Sequence, residues 1–292
     1  MTPSPAAARV TIVTVSYNSL HVLPHMLGSV PEGARVVVVD NASDDSGALA
    51  ALCARHGAAL VRNPRNLGFG VACNLGAKGA ATEFLLFLNP DAALQPDTLD
   101  QLVAAAGRYP AASAFNPRIA ENDGSPFFKR KSYLMPRSEW MQRGWPEADR
   151  EVSVLSGAAF FVRRRDFEKV GGFDPAIFLF HEDDDLALRL KAECGPLMFI
   201  RDALVQHGGG SSSARSAEIA ALKAWHMGHS RVYAARKHRQ PWARARALTQ
   251  ATLQLVSPVV LFSRRKRAKQ VALLRGIVHA SLGGSSTPEQ AT

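Results

Sequence analysis

"RVTIVTVS", residues 9–16, is a run of β-branched and apolar side chains with no polar face. A strand wetted on one side alternates apolar with polar residues. This run therefore predicts a strand buried on both faces. Three later stretches share its character: "RVVVVD" (35–40), "AALVRN" (58–63) and "EFLLFLNPD" (83–91). Helical patterns lie between them near 19–29, 44–56 and 70–81, and another follows at 97–108. Strand–helix alternation of this kind predicts a parallel α/β sheet in three layers. Ligands of such sheets bind outside the carboxyl ends of the strands. Polar residues gather there: Ser16, Tyr17 and Asn18 after the first strand, Asp40, Asn41 and Ser43 after the second, Asn89 and Asp91 after the fourth.

The pattern blurs over 110–150 into Pro, Gly and mixed charge, which reads as a loop-rich insertion. "VSVLSGAAFFVRR" (152–164) reads as one strand, with Ser156, Gly157 and Ala158 small enough to let a ligand approach. A helix ending near 193 and a short strand at about 197–206 follow, then "QHGGGSSS" (206–213). Beyond it, helices are expected at about 215–238, 242–262 and 265–280. The resulting division is a flexible tail at 1–8, a body at 9–213, a helical extension at 214–282 and a flexible tail at 283–292.

Charge follows this division. Residues 211–292 carry 14 Lys/Arg against 2 acids, whereas residues 1–210 carry 21 against 23. A near-neutral body thus bears a strongly basic extension, and basic extensions find anionic lipid or nucleic acid. Residues 242–262 are too short an apolar stretch to span a bilayer and are interrupted by Pro258. Five of the seven residues from Ser263 to Lys269 are basic. An apolar segment beside a basic block suits an anionic membrane surface; a helical pair packed on the body is the alternative. Nucleic acid is not expected, because the extension lacks an aromatic stacking ladder. Cys53, Cys73 and Cys194 form no CxxC pair, as expected of reduced thiols in the cytosol. "MTPSPAAARV" has no long apolar run of the kind a signal peptide needs.

"NLGFGVACNLGA" (66–77) contains Gly-x-Gly between a strand and a helix, but Cys73 stands where a dinucleotide fingerprint needs glycine. "FLLFLNPDAAL" (84–94) ends a buried strand at Asn89-Pro90-Asp91, where proline stiffens the turn and fixes the carboxylate. A fixed carboxylate at a strand end suits a hard divalent cation bridging to phosphate. His207, beside three glycines, is a candidate second ligand. "FLFHEDDDLALRLK" (178–191) sets four carboxylates, Glu182, Asp183, Asp184 and Asp185, against apolar residues. A helix N-terminus accounts for part of this, at about 0.3–1 kcal/mol per carboxylate. Partial burial and like charge would raise a carboxyl pKa toward that of a useful base. Spacing alone does not choose between Asp183 and Asp184.

The ordered set "TIVTVSYNS", "VVVVDNASDDS", "NPRNLGFGVACNLGA", "LLFLNPDA", "LSGAAFFVRR", "GGFDPAIFLFHEDDDLALRLK" and "VQHGGGSS" resembles the family 2 glycosyltransferases, and within them the rhamnosyltransferase-like branch. The resemblance covers about residues 9–213. It implies a GT-A fold, a mixed but mostly parallel Rossmann-like sheet, and inverting transfer of a sugar from a nucleotide diphosphate. The segment Thr14, Ser16, Tyr17 and Asn18, with Asp40 and Asn41, would hold nucleobase and ribose. Asn66, Gly70, Asn74 and Asn89 would line the nucleotide-sugar pocket. The family's DxD motif falls on Asn89-Pro90-Asp91, so Asp91 would carry Mg2+ or Mn2+, with His207 completing the site. The base of the family's "ED" pair falls on Asp183. The donor would be a dTDP- or UDP-sugar, with dTDP-rhamnose favoured by similarity. The acceptor would be a lipid-linked or oligosaccharide hydroxyl, and the enzyme would sit in the cytoplasm on the inner membrane face. Two other readings stand beside it. One is a non-catalytic, degenerate domain docking at membrane or nucleic acid. The other, a nucleotidylyltransferase, lacks the Gly/Arg-rich loop it would need after the first strand.

Overall fold

The computed structural model describes residues 4–208 and 216–285. The glycine–serine run beyond Gly208, residues 1–3 of the first tail and 286–292 of the last lie outside them. Strands β1 (Val10–Ser16), β2 (Arg35–Asp40), β3 (Ala59–Arg62) and β4 (Phe84–Leu88) are parallel neighbours in the order β3–β2–β1–β4. β1 and β4 are buried on both sides, as their lack of a polar face requires, but β3, which shares their apolar character, is an edge strand with Ala59 and Arg62 exposed. One face packs α1 (Leu23–Gly28), α2 (Ser46–Arg55) and α4 (Thr98–Arg108). The other packs α3 (Phe69–Ala77), α5 (Arg164–Lys169) and α6 (Glu182–Glu193). Within β1, Val10 and Ile12 belong to the first core, Val13 and Val15 to the second.

The second half of the sheet departs from the parallel expectation. β9 (Ala159–Arg163) runs antiparallel between β4 and β6 (Ala114–Glu121). β10 (Leu197–His207) is parallel to β6 and carries β5 (Ala92–Leu94) and β8 (Arg150–Val152) antiparallel. The two-residue β7 (Pro126–Phe127) pairs with β6. So the stretch read as a loop-rich insertion holds a central eight-residue strand. Pro117 concealed it, since proline removes a ladder donor and argues against a central strand. Here the ladder is itself irregular at that point, the β10 register shifting between Ile200 and Leu204 beside Pro117.

The strand expected at 152–164 is two, β8 and β9, joined by a turn over Ser153–Ala158. Asn116 fixes this turn, its Nδ2 donating to the carbonyls of Ser156 (3.1 Å) and Ala159 (2.5 Å) while its Oδ1 accepts from Ser156 N (2.5 Å). Ser156 and Gly157 therefore sit in a braced turn, not on a strand. At the N-terminus, Ala7, expected in a flexible tail, is wholly buried, and Ser4 hydrogen-bonds Asp100.

The C-terminal helices are α7 (Ala217–Lys237), α8 (Ala243–Leu255), α9 (Pro258–Leu261) and α10 (Arg264–Ser281). The single helix expected at 242–262 is broken at Pro258, which opens α9 where its missing N–H costs nothing. Among the described residues no helix is long and apolar enough to cross a membrane. α7 and α10 cross through two glycines. A Cβ on Gly228 would stand 2.2 Å from the Leu273 carbonyl oxygen, and one on Gly276 would stand 2.1 Å from that of Trp225. α7 is fastened to the body as well: Ser230 Oγ donates to Leu179 O (2.8 Å), and Tyr233 Oη donates to Asp174 (3.0 Å). Lys237 Nζ reaches Asp174 at 2.6 Å and Asp185 at 2.8 Å.

Gly276→Ala is expected to destabilise the protein by about 1–3 kcal/mol, the usual range for forced overpacking. Chemical denaturation should show a lower midpoint, and proteolysis should cut first in α10. A midpoint equal to that of the wild type would mean the helices do not cross at this glycine.

Candidate active site

Beyond the carboxyl ends of β1, β2 and β4 lies a cleft of ≈ 470 Å³. Tyr17, Asn41, Asn66, Asn89, Asp91, His207 and Asp183 all line it. These residues come from six separate stretches of chain, and strand ends plus the start of α6 bring them together.

At the β4 end, Asp91 Oδ1 stands 3.5 Å from His207 Nε2, and Asn89 Nδ2 stands 3.3 Å from the same nitrogen. The β5–β10 pairing sets Ala92 opposite His207 and so carries Asp91 to the end of β10. His207 Nδ1 is buried without a hydrogen-bond partner among the described residues, with Glu121 Oε1 4.0 Å away. A carboxylate and an imidazole converging beside an open cleft match a divalent ion that takes its remaining ligands from phosphate and water. Among the described residues no three His, Cys, Asp or Glu side chains cluster to enclose an ion by themselves. Asn89, in the place of a first aspartate, binds the histidine instead.

The opposite wall is the acidic start of α6. Phe180 (φ 67°) and His181 (φ 66°) turn the chain into the helix through the left-handed region, which costs non-glycine residues about 1–3 kcal/mol each. Asp183 Oδ2 accepts from Lys129 Nζ (2.6 Å) and from Gly157 N (2.9 Å). The same ammonium lies 2.9 Å from Asp184 Oδ1, and His181 Nδ1 lies 2.9 Å from Asp184 Oδ2. Burial opposes ionisation of Asp184, yet Lys129 and His181 hold its carboxyl well below the usual range. Burial would likewise lower Lys129, but the paired charges of Asp183 and Asp184 raise it above its ordinary value. Asp185 is wholly buried, and burial alone would raise its pKa. Contacts with His238, Lys237 and Arg189 instead bring it down to about 2. Glu182 has no such cation. Burial first, then the Asp183 charge, pushes it up to about 8, and its Oε2 has no hydrogen-bond partner among the described residues. The pKa rise that burial and like charge lead one to expect in this cluster thus falls on Glu182.

Several anticipated pocket residues do not reach the cleft. Strand alternation turns Val15 and Tyr17 toward it and Thr14 and Ser16 away, and both of the latter are buried. Asn18 instead ties two loops, donating to Asp44 (3.0 Å) and accepting from Asp44 N (2.9 Å). Asp40 is buried behind the loop, where it accepts from Ser43 N (2.9 Å). Asn41 does line the cleft and also braces it, donating to Asn66 Oδ1 (2.7 Å) and accepting from Asn63 (3.0 Å) and Leu67 N (3.0 Å). Gly70 and Asn74 point into protein. A Cβ on Gly70 would meet Phe173 at 2.9 Å, and Asn74 bonds both the carbonyl and the N–H of Phe173. Their work is to seat the loop that leads into α6.

Other cleft residues carried no signal in the sequence. Lys223 of α7 lines the cleft with its pKa lowered by burial against the pull of Asp91, and Lys129, from the insertion, holds the cleft residue Asp183 from behind. Phe178 forms part of the wall and stacks on His226 of α7 at 4.4 Å. A contact between such distant segments has no local pattern to betray it.

The mixed α/β fold carries a carboxylate–imidazole corner that faces an acidic helix start across one cleft, and comparison with known proteins gives its family. The sequence pattern of Glycosyl transferase family 2 matches residues 11–171, and the chain belongs to that family. It is 29% identical over 91% of its length, and 97% of the relative's, to N-acetylglucosaminyl-diphospho-decaprenol L-rhamnosyltransferase of Mycobacterium tuberculosis. The fold is GT-A. A mannosyltransferase of Pyrobaculum calidifontis, solved with GDP-Man and Mn2+, aligns with a TM-score of 0.57 at 16% identity, covering 94% of this chain and 87% of that one. S. aureus TarS aligns with a TM-score of 0.56 at 16% identity over 94% and 92%. The reading as a non-catalytic docking protein is not favoured by this membership.

Glu182 sets a pH dependence. A carboxyl whose pKa is raised on folding gives stability that is intact below its unfolded value, near 4.5, and is lost as pH rises toward about 8. Glu182→Gln should therefore be more heat-stable than the wild type at pH 8–9, the gap closing toward pH 5. A constant gap across that range would mean Glu182 is ionised in the fold.

Proposed function

We propose that this chain is an inverting glycosyltransferase that moves L-rhamnose from a dTDP-linked donor to a hydroxyl of a lipid-diphosphate-linked N-acetylglucosamine in cell-wall polysaccharide synthesis. The observation that carries the proposal is the cleft's two acidic stations, Asp91 with His207 at one end and Asp183 at the other. The donor and acceptor chemistry comes by likeness to the mycobacterial relative.

Tyr17, half exposed at the end of β1, offers a ring for the nucleobase to stack on, and Asn41 and Asn66 hold the loops around it. Asp91 and His207 would hold a Mg2+ or Mn2+ ion, which when bound would neutralise charge on the leaving diphosphate. Lys223 adds a protein cation to the same end. At the opposite wall the acceptor hydroxyl bonds to the anomeric carbon as the bond from that carbon to the diphosphate oxygen breaks. Asp183 takes the hydroxyl proton. Attack from the face opposite the leaving group inverts the configuration. The base must not be tied to the ion, and in this cleft it is not: its partners are Lys129 and Gly157 N. The buried start of α6 keeps water from competing for the anomeric carbon.

The enzyme works at the cytoplasmic face of the membrane, held by α8, α9 and the start of α10. Leu253, Val256, Val259 and Phe262 are exposed there, Phe262 at 91%. Arg264, Arg265, Lys266 and Arg267 follow directly. Apolar side chains beside a cationic block suit insertion at an anionic lipid surface.

Asp183→Asn is expected to lower transfer about 10²–10⁴-fold, the usual worth of a general base, while nucleotide-sugar affinity stays close to that of the wild type. Normal turnover in this variant would remove Asp183 from the reaction. Asp91→Ala should abolish the Mn2+-dependent part of nucleotide binding, seen by calorimetry with and without chelator. Phe262→Asp should reduce sedimentation with vesicles containing phosphatidylglycerol and leave sedimentation with neutral vesicles near background. Equal sedimentation of variant and wild type would move the lipid contact elsewhere.

A further inference from the structure

Behind Glu182 and Asp183, on the side away from Asp91, lies a second hollow of ≈ 450 Å³. Its walls are the segment after β7, the start of α6, and helices α7 and α8. Four wall residues carry buried polar atoms with no hydrogen-bond partner among the described residues: Tyr133 Oη, His181 Nε2, Glu182 Oε2 and Arg231 Nε. Finished interiors leave few such atoms. Four around one hollow mark a space shaped for a polar guest.

The charges of the wall say what kind of guest. Lys129 is committed to Asp183 and Asp184. Lys131 and Arg231 have no carboxylate partner among the described residues, and each lies over an aromatic ring, Trp140 at 5.3 Å and Tyr133 at 4.9 Å. Arg246 also approaches the Tyr133 ring, at 4.2 Å. Bringing guanidinium groups together on one ring is unfavourable without an anion. Burial and the neighbouring Arg246 both lower the Arg231 pKa, and the charge of an arriving anion opposes both.

We propose that this hollow is the acceptor subsite, in which Lys131 and Arg231 bind the diphosphate of a prenyl-diphosphate-linked sugar while the sugar faces Asp183. The proposal rests on the transferase reading above, and two features of place support it. Asp183 and Glu182 are shared walls, so a sugar held here reaches the base, while the donor's nucleotide lies on the other side with Tyr17 and Asp91. The hollow is also closed by Gln250 of α8, and Leu253 lies one turn further along the same helix, 65% exposed. Residues three apart share a helix face. A prenyl chain leaving along α8 would thus meet Leu253 and then the apolar side chains of α9. Lipid surface and acceptor site are in this way continuous.

The test uses the full-length protein and two synthetic acceptors, farnesyl-diphosphate N-acetylglucosamine and octyl N-acetylglucosaminide. Wild-type enzyme should prefer the diphosphate acceptor. Lys131→Ala and Arg231→Gln should each reduce that preference, read as the ratio of kcat/KM values, at least fivefold and mainly through KM. The double variant should lose at least tenfold, with nucleotide affinity by calorimetry unaltered. An unchanged ratio in folded variants overturns the subsite. Lys131 is exposed, so Lys131→Ala keeps the question open to measurement should Arg231→Gln fail to fold. Should the wild type transfer sugar to neither acceptor, the transferase reading fails and binding decides the subsite. Calorimetric affinity for farnesyl-diphosphate N-acetylglucosamine at least tenfold weaker in the double variant upholds it, and equal affinity removes it.

Discussion

Four adjacent carboxylates at the start of α6 are packed against protein, and their charge is what the surrounding structure answers. The helix N-terminus offsets only about 0.3–1 kcal/mol for each, well short of the cost of burying like charges together. The balance comes from elsewhere in the chain. Lys129 bridges Asp183 and Asp184, His181 caps Asp184, and Arg189, Lys237 and His238 surround Asp185. Removing one partner from such a buried set costs about 3–5 kcal/mol. The insertion and the last turn of α7 are thereby drawn against α6, and the wall of the cleft is made by the same contacts. Glu182, which makes no ion pair among the described residues, has its carboxyl pKa raised by burial instead.

The C-terminal helices are consequently part of the catalytic body. α7 supplies Lys223 to the cleft, Arg231 to the second hollow and Ser230 to the backbone of the cleft wall. Its closeness to α10 through Gly228 and Gly276 makes one rigid pair of the two. Cationic residues of the extension thus serve two purposes. Lys237 of α7 turns inward to meet Asp174 and Asp185, while the block that opens α10 faces outward beside exposed apolar side chains.

The cleft itself joins two kinds of support. At the β4 end the metal-suited pair is held by strand pairing, with β5 and β10 setting Asp91 against His207. At the α6 end Asp183 is held by a turn, with Asn116 bracing the loop from which Gly157 N reaches its carboxylate. A Cβ on Gly157 would stand 3.2 Å from Asp183 Oδ2. A side chain at this position would press the carboxylate back by a few tenths of an ångström.

Much of this was legible in the chain alone. The four apolar strands, the helices between them and the placing of Asp91, His207 and Asp183 at element ends follow from local periodicity and stiffness. Those properties act over a few residues, so a linear reading captures them. β6 escaped it because Pro117 breaks the usual pattern, and only the irregular β10 ladder makes the proline tolerable. Thr14, Ser16, Gly70 and Asn74 looked like ligand contacts, and strand alternation and loop packing turned them toward protein instead. Lys129, Lys223 and Arg231 carried no mark at all. A lone cation is ordinary in sequence, and it becomes part of a site only when distant segments close around a buried charge. That closure is a long-range electrostatic and packing event, and only the tertiary structure decides it.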